Sequence, residues 1–227
     1  AFNKFVAAWE GVPADSSAES WVADFQQVEA DKSIAVVGWQ GWDDEWMSPM
    51  DVAFNSADGS VVFKGGTGKA AASNVQIGAP EDPMNIYYMA SAVIDGQSYV
   101  ITSGTGMYDA CKGVVDASGK LVMTGLDVEL SDGGTYTFSE FGVVAMDAAK
   151  TAIYTFKNEL GELPYSLSKA SGTSSVKSLY SKSNALSVKN AVKIDPSHVL
   201  TVKDNNPTLK AIKAQSVPAK HRVFLSK

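Results

Sequence analysis

Turn signals that recur about every ten residues constrain the fold of this chain more than any other feature. Asp58-Gly59, Asp95-Gly96 and Ser118-Gly119 are dipeptides that readily adopt the positive φ angles of tight hairpin turns. Between such signals lie short runs rich in Val, Ile, Tyr, Phe and Thr, which are favoured in strands. The predicted strands are Ser33–Trp39, Met50–Asn55, Ser60–Lys64, Asn74–Ile77, Asn85–Ile94, Ser98–Thr102, Lys112–Asp116, Lys120–Glu129, Thr135–Ala145 and Thr151–Lys157. This pattern predicts a mainly β protein whose antiparallel meander closes into a barrel of about eight strands, over residues 33–164.

Some of these runs are apolar at consecutive positions. In Asn85–Ile94, for example, apolar side chains occur on both faces of the predicted strand. Inner residues of a small barrel fill its lumen, so apolar outer residues predict a second layer or a partner against the barrel.

The amino-terminal region contains all five tryptophans of the chain. Residues 16–31 begin with serines and place Trp21, Phe25 and Val28 at helical spacing, which predicts a short helix within an amino-terminal arm of residues 1–32. The predicted docking edge consists of the tryptophans Trp9, Trp21, Trp39, Trp42 and Trp46.

The charged residues divide the chain into an acidic and a basic part. Residues 1–160 contain 8 Lys and 22 Asp or Glu, a net charge of −14, whereas residues 161–227 contain 10 Lys, one Arg and 3 Asp or Glu, a net charge of +8. Residues 165–227 are poor in aromatic residues, which predicts a long, basic, extended tail without a core of its own. Aliphatic residues directly precede many of its lysines, so the tail can bury apolar side chains in shallow pockets while its charges stay hydrated. The predicted partner-binding residues of the tail are Lys177, Lys189, Lys193, Lys203, Lys210, Lys213, Lys220 and Arg222.

Few residues of the acidic part suggest catalysis. Both histidines, His198 and His221, lie in the tail, so residues 1–160 contain no imidazole for a catalytic triad or a metal site. The single cysteine, Cys111, is interpreted as a buried filler; the alternative is a reactive thiol or a pigment attachment point. The sequence therefore predicts no catalytic residue, no metal and no intrinsic cofactor. An acidic body also argues against nucleic-acid binding, and no run is long and apolar enough for a transmembrane helix.

The segment 65–70 superficially matches a phosphate-binding loop. Lys69 would reach the phosphates, but Phe63 stands where the first glycine belongs and Ala70 replaces the hydroxyl residue that holds magnesium. We interpret the segment as a hairpin turn.

Residues 98–115 resemble the signature of the allene oxide cyclase and dirigent barrel family. After the strand end Ile101-Thr102, Ser103 replaces the first glycine of that signature. The matching residues are Gly104, Thr105, Gly106, Tyr108, Ala110 and Gly113. The resemblance covers roughly residues 33–157 and implies an eight-stranded barrel whose mouth can hold a hydrophobic molecule. No catalytic residue of the family can be matched onto this chain, so an inherited barrel without its chemistry is the simpler interpretation.

Two short matches concern cellular location. Ala1-Phe2 resembles the mature start of plastid proteins in algae of the red lineage, and residues 156–161 are similar to the start of fucoxanthin-chlorophyll antenna proteins. These resemblances imply a plastid protein associated with the thylakoid membrane, on a side that the sequence does not identify.

Together these features predict a non-catalytic accessory or linker subunit of a photosystem or light-harvesting complex. The barrel would dock onto subunits of the complex, and the tail would run over their surface or over anionic lipids, with pigment or lipid contact at the interface. The alternative is an enzyme, such as a cyclase-like isomerase, or a carrier that holds an oxylipin, pigment or phenolic molecule in the barrel lumen.

Overall fold

In the computed structural model, the protein is mainly β. The structure describes residues 1–14, 18–42, 47–76, 83–131, 133–156, 160–171 and 191–203. Its strands are β1 (Ala8–Gly11), β2 (Trp21–Glu29), β3 (Ser33–Val37), β4 (Met50–Asn55), β5 (Ser60–Gly65), β6 (Ala72–Val75), β7 (Met84–Ile94), β8 (Gln97–Ser103), β9 (Tyr108–Val115), β10 (Leu121–Gly125), β11 (Asp127–Glu129), β12 (Thr135–Thr137), β13 (Glu140–Met146), β14 (Ile153–Phe156), β15 (Tyr165–Lys169), β16 (Ala191–Ile194) and β17 (Val199–Val202). The helical elements in these ranges are two single 3₁₀ turns, Phe2–Lys4 and Trp39–Gly41.

Eight strands form a closed antiparallel barrel, which confirms the predicted architecture. Their order around the barrel is β1-β15-β10-β9-β5-β4-β3-β2, and β2 pairs with β1 to complete the circle. Each of the ten predicted runs overlaps at least one strand. Hairpin signals such as Asp58-Gly59 join neighbouring strands, as the sequence indicates.

The lumen of the barrel is filled by side chains. On β5, Val61 and Phe63 point inward while Val62 and Lys64 are partly exposed, as expected for a period of two residues. Eight strands leave an interior just wide enough to be packed by side chains. The largest inward residues, all buried, are Trp9, Trp21, Phe25, Met50, Phe63, Leu121, Met123 and Leu167.

A second sheet packs against the barrel. Its strands run in the order β16-β14-β13-β7-β8-β17, and β6 pairs with β7 as well. Alternate residues of β7 point in opposite directions: Tyr88 and Ala90 join the core shared with the barrel, whereas Met89 joins a separate cluster. The two buried faces explain the continuous apolar run in this part of the sequence.

The second sheet is strongly curled. Its two edge strands, β16 and β17, are joined by only four residues. Six strands in a flat sheet would place the edges about 24 Å apart, but the five residue steps from Ile194 to Val199 span at most about 18 Å. Every one of the six strands contributes to the cluster enclosed by the curl, which we call the concave core: Tyr87, Met89, Val100, Val144, Met146, Ile153, Ile194 and Val199.

The helix predicted within residues 16–31 is wrong, because Trp21–Glu29 is strand β2 of the barrel. Trp21 and Phe25 are four residues apart, a spacing that fits a helix and a strand equally well. Ala23 between them is also buried, and Asp24 is partly exposed, so the residues follow a period of two.

The barrel also extends beyond the predicted boundaries. Its strands β1 and β2 fall in the predicted arm of residues 1–32, and β15 falls in the predicted tail. The same tail supplies β16 and β17 to the second sheet. Each of these late strands needs only one or two buried side chains, such as Leu167, Ile194 and Val202, which a segment of low overall hydrophobicity can provide.

Candidate functional site

The tryptophans predicted to dock onto a partner lie inside the protein. Trp9, Trp21, Trp39 and Trp42 are buried, and Trp46 lies outside the described residues. Trp21 and Trp39 pack edge to face with ring centres 5.2 Å apart, and the ring centre of Trp39 lies 5.4 Å from that of Phe63. Because their rings form the core, the structure assigns these four residues to packing and not to a docking surface.

Two of the predicted tail cations have partners within the chain. Lys203 Nζ lies 2.6 Å from Glu129 Oε1, and Lys193 Nζ lies 5.6 Å from the ring centre of Tyr154, a distance at which a cation is attracted to an aromatic face. The first contact attaches the end of β17 to β11, which forms a separate two-stranded sheet with β12, and the second lies between β16 and β14 of the second sheet. The other predicted tail residues, Lys177, Lys189, Lys210, Lys213, Lys220 and Arg222, lie outside the described residues.

Residues of the barrel-family signature connect the barrel to the second sheet. The Tyr108 hydroxyl on β9 donates to the carbonyl of Ile101 at 2.9 Å and accepts from the amide of Ala90 at 2.8 Å. Burial raises the pKa of this phenol above its ordinary value, so it stays a neutral structural link. A Cβ at Gly113 would lie 2.9 Å from Val61 Cγ2, so the glycine leaves room for inward side chains.

Two Gly-Thr-Gly segments, residues 66–68 and 104–106, pack backbone against backbone. The amide of Gly68 donates to the carbonyl of Gly106 at 2.7 Å, and the amide of Gly66 donates to the carbonyl of Tyr88 at 2.9 Å. These donors are therefore already used and are not presented to a phosphate. The segment is not the predicted hairpin turn, because β5 belongs to the barrel and β6 pairs with β7 of the second sheet.

Neither a thiol site nor a metal site emerges from the groups that the structure describes. Cys111 is fully buried, and burial raises the pKa of its thiol well above the ordinary value, which fits a packing role. No group of three His, Cys, Asp or Glu side chains within the described ranges is arranged to hold a metal ion.

One cleft lies beside Tyr88 on the barrel surface. Two lysine–aspartate pairs flank it, Lys64 with Asp109 and Lys69 with Asp51, the latter at 2.7 Å. Its volume of about 20 Å³ holds about one water molecule. The paired charges leave this cleft electrically balanced.

A second cavity, at the rim of the concave core, has a different character. Gly142 lies in the middle of β13, opposite Met89, and lines the cavity together with Glu140 and Val144. The cavity has a volume of about 10 Å³, which is room for one water-sized group. Its polar lining comes from three side chains: Ser91, Glu140 and Thr155. We call it the Gly142 pocket.

The carboxyl group of Glu140 is the main charge of the Gly142 pocket. Ser91 Oγ donates to Glu140 Oε2 at 3.0 Å. Burial raises the pKa of the Glu140 carboxyl above its usual value, the bond from Ser91 lowers it, and the negative charge of Glu162 raises it further, so the net shift is upward. The described residues thus place no cation on this carboxylate.

Gln40 borders the same strand in an uncommon backbone conformation. This buried residue has φ 55° and lies between Gly38 and Gly41, which also have positive φ angles. Its Nε2 donates to the carbonyl of Phe141 at 3.1 Å, and its Oε1 would lie 2.8 Å from a Cβ at Gly142. Non-glycine residues held with positive φ are typical of functional sites or of tightly packed loops.

The polar residues of the Gly142 pocket are not apparent from the sequence. Ser91, Glu140 and Thr155 come from separate segments and form no motif. The available signal is Gly142 itself, because an isolated glycine within a strand pattern indicates a close backbone approach.

Comparisons with protein-family models, with curated proteins and with solved structures find no match to this chain. The relation to the allene oxide cyclase and dirigent family therefore stays a prediction. Among the described residues, no helix is long and apolar enough to cross a membrane.

Proposed function

We propose that this protein is a non-catalytic accessory subunit of a larger assembly, to which it binds through its basic carboxy-terminal third. The observation that carries the proposal is the filled lumen of the barrel. Phe25, Phe63 and Trp39 occupy the space in which a barrel enzyme or carrier would hold a hydrophobic ligand. Because the lumen is filled by side chains that stabilise the fold, we expect binding to occur through the surface and the basic segment.

The proposed partner surface is acidic. Residues 204–227 carry Lys210, Lys213, Lys220, Arg222 and Lys227 against a single acidic residue, Asp204. Strand β17, which precedes this segment, is held by β8 on one side and by residues 129–131 on the other. A basic segment anchored at a folded domain is suited to an acidic protein surface or to anionic head groups, where each cation contributes about 1 kcal/mol.

The proposed setting is the thylakoid membrane of a red-lineage plastid, with photosystem or antenna subunits as partners. It rests on the sequence resemblance at residues 156–161. Contact with pigments or lipids would then occur at the interface with the partner and not in the lumen.

Gradient centrifugation of full-length protein mixed with solubilised thylakoid complexes tests this function. We expect co-migration at low salt that weakens as salt is raised, because exposed charges are screened. A variant with Lys210, Lys213 and Lys220 changed to Gln should bind less. The matched control changes Lys32, Lys120 and Lys150 to Gln, which removes the same charge from the folded part and should bind like the natural protein. Protein that stays unbound and monomeric at low salt would contradict the proposal.

The enzyme or carrier alternative makes a different prediction for the same protein. A lumen ligand would have to displace buried aromatic rings, so binding of an oxylipin or pigment should change the near-ultraviolet circular dichroism of the tryptophans. Saturable binding with this signature would favour the alternative.

A further inference from the structure

We propose that the Gly142 pocket binds a primary ammonium group, such as a lysine side chain or a free alkylamine. This site lies within residues 89–156 and would exist whether or not the protein is an accessory subunit. Three properties of the pocket support this assignment: its size, its hydrogen-bonding capacity and its charge.

Size favours a small head group. The cavity of about 10 Å³ admits a group about as large as a water molecule, and an ammonium group has this size. Met89 and Val144 form apolar walls beside the polar lining. An alkylammonium can pack its methylene stem against apolar walls of this kind while its head group contacts oxygen atoms.

The hydrogen-bonding groups match three donors. An ammonium group donates three hydrogen bonds and accepts none. The pocket offers the second oxygen of Glu140, since Oε2 already accepts from Ser91, and the hydroxyl oxygens of Ser91 and Thr155. The Thr155 side chain is 9% exposed and its hydroxyl has no hydrogen-bond partner among the described residues. This hydroxyl lines the pocket and can accept a hydrogen bond from a bound donor.

The charge of the pocket favours a cation over a neutral molecule. Glu140 is largely buried, and within the described ranges the charge that acts on it is that of another carboxylate, Glu162. A buried carboxylate is stabilised by a charge-assisted hydrogen bond from a cation. A divalent metal fits less well, because Ca²⁺ and Mg²⁺ require six or more oxygen ligands, several of them carboxylates or waters.

Titration of the full-length protein with n-butylammonium chloride, followed by NMR, tests the site. We expect saturable shifts of the Ser91, Gly142 and Thr155 amide signals and a decrease in the pKa of Glu140. Tetramethylammonium, which has no N–H donor, and KCl at equal ionic strength should produce neither effect. Equal shifts with these salts, or no saturable shift with n-butylammonium, would overturn the proposal.

Two variants, each lacking one polar group of the pocket, distinguish a loss of binding from a loss of folding. Glu140→Gln should weaken binding by about tenfold or more, and Thr155→Val, which keeps the shape of the side chain, by about threefold to tenfold. Glu10→Gln, on β1 of the barrel, is the matched control for charge and should bind normally. If both pocket variants keep their thermal transition and bind n-butylammonium as well as the control, the pocket is not the site.

A final arm separates the two sources of the ammonium group. Nα-acetyl-lysine-N-methylamide carries the same head group on a peptide backbone. Binding at least tenfold tighter than that of n-butylammonium would identify the ligand as a lysine of a protein chain, whereas equal or weaker binding would identify a free amine. Loss of thylakoid binding without loss of amine binding would contradict only the accessory function, so failures of the two proposals are distinguishable.

Discussion

The lumen of the barrel is packed with aromatic rings, whereas the concave core of the second sheet is built from Met, Val and Ile side chains. Phe25 and Phe63 of the barrel contact each other and Trp39 of the 3₁₀ turn that follows β3, and Phe141 from β13 of the second sheet adds to this group, with ring centres 5.4–6.4 Å apart. Aromatic pairs at such distances contribute beyond the area that they bury. The concave core is smaller and has the polar Gly142 pocket at its rim.

The two regions also close in different ways. Short hairpins join β2 to β3, β4 to β5 and β9 to β10, whereas the pairing of β5 with β9 and the late strand β15 close the barrel through contacts far apart in the chain. The second sheet receives two strands from residues 191–202, including β17, which pairs parallel with β8. The barrel therefore provides stability. The second sheet contains the polar Gly142 pocket, and its strand β17 leads directly into the basic segment of residues 204–227.

The largest expected effect concerns the barrel core. Phe63→Ala should reduce the free energy of unfolding by about 3–5 kcal/mol, since it removes a fully buried ring and leaves a cavity among three other aromatic residues. Chemical denaturation followed by tryptophan fluorescence measures the change. Val114→Ala, at a side chain on the outer surface of β9, is the control and should cost about 0.5 kcal/mol or less. Similar costs for both variants would mean that the lumen is not tightly packed.

A somewhat smaller effect is expected in the concave core. Ile194→Ala on β16 should cost about 2–4 kcal/mol, because this side chain is 3% exposed and packs with the other five strands. Val192→Ala in the same strand is the matched control, since Val192 is 52% exposed. If the two variants have the same thermal transition, residues 191–203 are not part of the folded core, and the contrast between the two regions fails.

The contact between the two regions can be tested at the paired glycine segments. Gly66→Ala should cost about 1–3 kcal/mol, because Gly66 has φ 127° and an added Cβ would lie 2.1 Å from the carbonyl oxygen of Gly106. Gly96→Ala controls for the backbone conformation, since Gly96 has φ 77° but no atom within 4 Å of its Cβ position. Differential scanning calorimetry compares them. A second transition in the Gly66 variant would show that the barrel and the second sheet can unfold separately.

Local patterns in the sequence predict the strands well and the long-range pairing poorly. Runs such as Ser60–Lys64 and the turn at Asp58-Gly59 are specified by neighbouring residues, so the antiparallel barrel could be predicted. That β5 pairs with β9, while the strands between them form a second sheet, depends on contacts far apart in the chain. The same limit explains the tryptophans: their clustering in sequence is visible, but their burial depends on contacts with distant residues such as Phe63, Phe141 and Phe156.

The candidate site was less predictable than the fold for a related reason. Glu140 and Ser91 lie 49 residues apart and face each other only because β13 pairs with β7. Neither residue type is unusual at its position. Periodicity and motif spacing carry no information on such a pair, whereas the charge split between residues 1–160 and 161–227 can be counted directly.

The smallest expected effect is a pH-dependent one in the Gly142 pocket. Below pH 4.5, the ordinary value for a glutamate, Glu140 is protonated in both the folded and the unfolded protein. Because its folded-state pKa is raised, the unfolded protein loses the proton first as the pH increases, so the stability falls as the pH rises from 4.5 to the raised pKa and stays reduced above it. Glu140→Gln removes this penalty and keeps an oxygen that can accept from Ser91. The melting temperature of the variant should therefore rise relative to that of the natural protein as the pH increases from about 4 to about 7. A difference that is independent of pH, or one that favours the natural protein as the pH rises, would indicate that Glu140 already has a cationic partner in the folded chain, and the contrast between an aromatic barrel core and a second sheet with an uncompensated carboxylate would not hold.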